Sequence, residues 1–246
     1  MMALINLRNA LMAGKRTPTA KDYVQDGLVA MWDGIENAGW GVHDASATGW
    51  LDLTGNEGLV TAIGTPTWTD NAFDGARDTS TAVATYFASN SNNLGDMVQT
   101  GIYSIEIVVT SDTKQESNGG LFSIGGSQSR QFWIWEANNV RDFFIDAIQS
   151  AQGPWGRPSD NARNKSYVYQ FILNGTEGYF YTNGSLLQSR AYNTKQMQSN
   201  GFMIARIPTY NTTRSKIHSI RLYSRALPAD EIARNYAIDK VRFNLP

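Results

Sequence analysis

The chain is 246 residues long with a formal net charge of −1, no cysteine, 22 glycines and 11% aromatic residues. Its interspersed, nearly balanced charge argues against nucleic acid or acidic lipid as the main partner, and the lack of cysteine excludes disulfides, thiol catalysis and thiolate metal sites. Such a length suits one large β-sandwich or two small domains, and a chain this long buries ~70–75% of the surface exposed when unfolded, so folding needs no metal or disulfide.

No stretch approaches the ~18 consecutive apolar residues of a membrane span. The N-terminus also lacks the pattern of a signal peptide, because Arg8 interrupts the apolar run and Lys15 and Arg16 follow it. The expected location is extracellular or virion-associated, reached by lysis or as part of a particle. Residues 1–22 are predicted to form a helical arm and linker. Leu4, Leu7 and Leu11 make an apolar stripe at helical spacing that ends at Gly14, and Pro18 lies in the linker. The stripe suits either packing on the chain's own sandwich or a docking contact in an oligomer or assembly.

Residues 23–246 are predicted to be the sandwich domain. Its first strand is GLVAMW, Gly27 to Trp32, followed by a polar loop and the segment Trp50-Leu51-Asp52-Leu53-Thr54-Gly55-Asn56. Trp50 and Leu53 are expected to be buried anchors, with Asp52 and Asn56 at turn positions where short side chains bond nearby backbone. Further strands are predicted at 58–63, 67–69, 82–88, 101–110, 120–124, 131–136, 142–148, 167–173, 178–182, 186–191, 201–207 and 215–223. Asn183-Gly184 within YVYQFILNGTEGYFYTNGSLLQ is a two-residue hairpin signal. After Tyr223 the period changes to that of a helix. Leu227, Ile232, Tyr236 and Phe243 share one side, Arg234, Asp239 and Arg242 are distributed around the rest, and Pro228, Asp230 and Glu231 suit its first turn.

Four stretches together resemble the concanavalin A-like lectin/glucanase superfamily, specifically its bacterial laminin-G-like branch. They are DGLVAMWDGIENAGWGVHD with the Trp50–Asn56 segment, YSIEIVV with GLFSIG, the hairpin stretch around Asn183-Gly184, and IRLYSRALPADEI near the C-terminus. The resemblance covers roughly residues 27 to 243. It implies an all-β fold, a jelly-roll sandwich of two antiparallel sheets with short N- and C-terminal helices. A short N-terminal arm ahead of such a domain also resembles proteins of phages and prophages of gut bacteria.

Because the superfamily contains glycoside hydrolases, a carboxylate pair is the first chemistry to seek. Retaining glycosidases place two acids ~5–5.5 Å apart. The Glu-x-Asp-x-x-Glu strand motif of the glucanase branch is absent. The strand acids are Glu106, Glu136, Asp142 and Asp146, and the last two would lie ~13 Å apart along one strand. Of the two histidines, His43 sits in a polar loop and His218 reads as an ordinary strand residue satisfied by a neighbour. No metal-ligand spacing, serine elbow or phosphate loop is present. Calcium enters through the resemblance, since relatives hold it with Asp, Asn and backbone oxygens, and Asp33, Asp44, Asp52 and Asn56 lie in suitable loops. A hard cation needs six or more converging oxygens, however, and no motif specifies them, so no cofactor is expected.

The remaining chemistry is recognition. Sugars are held by flat aromatic faces with planar polar groups. Trp133 and Trp135 share one face of their strand and Phe132 and Ile134 the other, so only one pair belongs to the core. Trp155 and Arg157 lie in the loop AQGPWGRPSDNAR, and Tyr210 in PTYNTTR. These five residues, Trp133, Trp135, Trp155, Arg157 and Tyr210, are the expected ligand contacts. The expected function is non-catalytic recognition, of glycans, in a cell-surface or phage-associated assembly. The alternatives are a structural or protein-interaction module docking through its N-terminal arm, and a glycoside hydrolase with an unrecognised acid pair.

Overall fold

The computed structural model describes residues 16–69, 71–75, 85–111, 119–125, 132–136, 165–191, 201–207 and 211–246. Leu4, Leu7, Leu11 and the predicted strand at 142–148 lie outside them. In chain order the strands are β1 (Leu28–Asp33), β2 (Gly49–Leu51), β3 (Leu59–Ile63), β4 (Trp68–Thr69), β5 (Ala72–Asp74) and β6 (Tyr86–Ser89). They continue as β7 (Ile102–Thr110), β8 (Gly119–Ile124), β9 (Phe132–Glu136), β10 (Ser166–Asn174) and β11 (Glu177–Thr182). The last are β12 (Ser185–Ala191), β13 (Phe202–Ile204), β14 (Asn211–Thr212) and β15 (Lys216–Tyr223). Among the described residues the helices are α1 (Asn93–Gln99) and α2 (Ala229–Arg242), with a 3-10 turn at Ala20–Asp22.

One sheet has eight strands in the order β12-β11-β10-β7-β15-β5-β4, with β1 beside β15. The other has seven, β14-β8-β13-β6-β3-β2, with β9 beside β8. Among the described residues all strand pairings are antiparallel except the short β8–β14 contact. The sandwich follows from alternation. Along β7, Tyr103, Ile105, Ile107 and Val109 enter the core between the sheets, together with Tyr169 and Phe171 of β10 and Phe122 and Ile124 of β8. Trp50 anchors one end, fully buried, its ring edge-on to Trp68 at 5.1 Å and 5.7 Å from Phe87. Asn183 and Gly184 turn β11 into β12 with φ of 52° and 72°, a left-handed pair that matches the twist of a two-residue hairpin.

Several features depart from the sequence reading, among them the short strands β2, β5 and β14, which are not among the predicted strands, and both helices. Helix α1 was not predicted, because its residues NLGDMVQ carry a glycine and too few apolar positions to show a period. Helix α2 buries Asn235, Asp239 and Arg242 alongside Ile232 and Ile238, so its inward face is not the apolar stripe that the pattern indicated. The reason lies in what it covers.

Candidate functional site

The outer face of the eight-stranded sheet is closed by α2 and the segment before β1. At its centre Arg221 of β15 donates from Nε to Glu106 of β7 at 2.8 Å, and from Nη1 and Nη2 to both oxygens of Asp239 of α2 at 2.8 and 2.7 Å. All three side chains are fully buried. Gln170 and Asn235 donate to the two Glu106 oxygens at 2.7 and 2.8 Å, and the Tyr23 hydroxyl donates to Asp239 at 2.6 Å. The Tyr23 ring lies 4.0 Å from the guanidinium carbon. Burial pushes the Glu106 carboxyl above its ordinary range, against the pull of Arg221. Burial also works to lower Arg221, but Asp239 and Glu106 outweigh it and hold the cation firmly charged. Glu106 is thus fully buried inside this network.

A second cluster continues the seal. Arg242 pairs with Asp33 at 2.8 Å and Glu36 at 3.2 Å, and donates to the Pro18 carbonyl at 3.2 Å. The other Glu36 oxygen accepts from the Gly41 amide at 2.8 Å. The loop acids are likewise engaged within the protein. Asp52 accepts four hydrogen bonds, from the amides of Met31, Thr54 and Glu57 and the Thr54 hydroxyl, at 2.7 to 3.1 Å. Asp44 caps Ser46, and the Asn56 amide donates to the Val29 carbonyl at 2.8 Å. Asp52 and Asn56 thus hold turn positions, as their residue types suggested. Among the described residues no group of three or more His, Asp or Glu could hold a metal ion. His218 is buried and bonds the Thr110 hydroxyl through Nε2 at 2.8 Å.

The outer face of the seven-stranded sheet is built differently. Phe87, Phe122, Phe202 and Ile204 point into the core, which leaves Ala88, Ser123 and Met203 in one cross-strand row on the other side. Trp133 pairs in register with Ser123 and extends that backbone row onto β9, while Trp135 pairs with Gly120. Ile134 between them is buried in the core. At the other end of the face, half-buried Tyr86 pairs with exposed Ile63 and carries the Arg206 guanidinium 4.5 Å from its ring centre. That places a flat aromatic and a planar donor together.

A sequence model described as concanavalin A-like lectin/glucanases superfamily, of laminin G type, matches residues 79–233, more than half of the chain. The chain belongs to this superfamily. No curated protein matches its sequence. Among solved structures, the concanavalin A-like fold recurs in a Trypanosoma rangeli sialidase in complex with sialic acid, at 17% identity and a TM-score of 0.60. That match covers 94% of this chain but 35% of the sialidase. The binding domain of botulinum neurotoxin DC, in complex with rat synaptotagmin II, matches at 11% identity and a TM-score of 0.65, covering 87% of this chain and 52% of that one. The chain thus spans about a third of the sialidase and half of the toxin domain, and at these identities the likeness is one of fold.

Of the expected ligand contacts in this concanavalin A-like domain, Trp155, Arg157 and Tyr210 lie outside the described residues, and β9 fixes Trp133 and Trp135 in backbone register only. Sequence reasoning missed Tyr86 and Arg206. They are far apart in sequence and meet through the β6–β13 pairing, so no local pattern signals them.

Proposed function

We propose that the chain is a non-catalytic recognition domain that binds glycans on the outer face of the seven-stranded sheet, within an extracellular or particle-borne assembly. The observation that carries this reading is the difference between the two outer faces. One is sealed by α2 over a buried ion network, whereas the other carries the Tyr86–Arg206 pair. A flat ring beside a planar donor is the equipment that sugar recognition uses. Trp133, Trp135, Trp155, Arg157 and Tyr210 are its proposed further contacts. Sealing Glu106 under the helix argues against that acid as half of a hydrolytic pair.

The test is a glycan array probed with the purified chain and with Tyr86→Ala and Trp155→Ala. Each substitution is expected to weaken binding to the array hits at least tenfold while leaving the far-ultraviolet circular dichroism spectrum intact. A wild-type chain that binds no glycan, or variants that bind as wild type does, would overturn the proposal.

A further inference from the structure

Exposed apolar side chains gather at one corner of the seven-stranded sheet. Trp40 and Val42, at the tip of the turn after β1, are 37% and 51% exposed, and Leu59 of β3 is 62% exposed. Trp50 and Val60 point into the core, so their neighbours Leu51 and Leu59 lie on the outer face, where they pair across β2 and β3. Gly39, bridged to Val42, connects the turn to this pair: a Cβ built on it would sit 3.7 Å from Leu51 Cδ2. Turn, β2 and β3 thus present one apolar strip, roughly two strand spacings or ~10 Å across. The chain enters the fold beside it. The Ala20 and Gly41 amides donate to the two oxygens of Glu36, at 2.9 and 2.8 Å, and the Lys21 ammonium lies 5.3 Å from the Trp40 ring centre.

We propose that residues 1–15 of the same chain dock on this strip through Leu4, Leu7 and Leu11. The occupant follows from where the described chain starts and what precedes it. The leucines recur at helical spacing, and as a helix they would span ~10 Å, matching the strip. Only Met12 to Lys15 separate Leu11 from Arg16, and fully extended that linker reaches ~14 Å. Arg16 is held by Asp22 at 2.7 Å and the Pro18 carbonyl by Arg242 at 3.2 Å, so the linker starts from a fixed root next to Trp40. Tethering favours the chain's own stripe over a separate protein, because a short linker gives it an effective concentration on the order of millimolar. Docking also removes apolar surface from water on both sides. The strip stops short of the ring proposed above for glycans: Ile63, which pairs with Tyr86, lies ~13 Å further along β3 than Leu59. The two readings can therefore fail separately.

The chain has no cysteine, so pairs of introduced cysteines report proximity. The test treats two double variants of the full chain, Leu7→Cys with Leu59→Cys and Leu7→Cys with Leu186→Cys, with a short bis-maleimide. Leu186 is comparably exposed but lies on β12, the far edge of the other sheet. The first pair is expected to join within one chain at least tenfold faster than the second, at a rate independent of protein concentration. Thermal melts give a second readout. Leu4→Ser, Leu7→Ser and Leu11→Ser together should lower the midpoint by at least about 4 °C. Leu59→Ser should lower it in the intact chain and lose most of that effect in the triple-serine background, because its contact is then already gone. Equal cross-linking rates, products that join two chains, or additive losses from the two sets of substitutions would each overturn the proposal.

Discussion

Arg221→Met tests how the helical cover is held. The substitution keeps an unbranched side chain of similar reach but removes the cation between Glu106 and Asp239. Glu106 keeps donors from Gln170 and Asn235, at 2.7 and 2.8 Å. Asp239 keeps only the Tyr23 hydroxyl, at 2.6 Å, of the side-chain donors described above. Two fully buried carboxylates would then face each other without the charge between them. Removing one member of a buried ion set costs about 3–5 kcal/mol, chiefly because the partners stay desolvated and unpaired. Against a total stability of about 5–15 kcal/mol, that is a large fraction. In urea, with a slope of about 1–3 kcal/mol per molar, the midpoint should fall by at least about 1 M. The neutral triple variant Glu106→Gln, Arg221→Met, Asp239→Asn keeps hydrogen-bonding groups at the acid positions and should recover more than half of the loss. A single variant within about 1 kcal/mol of wild type, or a triple no better than the single, would refute the view that uncompensated charge sets the cost.

Glu106→Gln should change the pH dependence of stability. Burial raises the folded Glu106 above its ordinary value of 4.5, so the folded state holds this proton more tightly than the unfolded state. Its contribution is present below 4.5 and is lost as pH rises through the folded value. Wild-type stability should therefore contain a component that falls with rising pH above 4.5 and is absent in the variant; parallel pH profiles of urea midpoints would contradict it. Gly201→Ala and Gly175→Ala separate strain from collision. Both glycines have left-handed backbones, φ of 74° and 68°. A Cβ at Gly201 would meet the Ser89 carbonyl oxygen at 2.1 Å, whereas at Gly175 nothing lies within 4 Å. Gly175→Ala should cost about 1 kcal/mol and Gly201→Ala distinctly more, measured by thermal melts; equal losses would count against the close approach of the two backbones.

Much of the architecture is local in origin and could be read from the chain. Alternation marks β7 and β15, Asn183-Gly184 marks its hairpin, and Asp52 with Asn56 marks a turn, because each depends on residues within a few positions of one another. Pro228, Asp230 and Glu231 likewise announce where α2 begins, since helix starts have their own chemistry. What the helix packs against is another matter. A pattern of apolar residues assumes an apolar partner, and Asp239 looks like a surface residue until Arg221 is placed beneath it. The candidate sites depend on distance in the same way. Tyr86 acquires its Arg206 through strand pairing. The sequence alone determined the strands and turns, because periodicity and turn chemistry are short-range, and resemblance to a family supplied the sandwich. Only the tertiary structure decided which face is sealed and which carboxylates are neutralised, because those are set by residues that meet only after the sheets have formed.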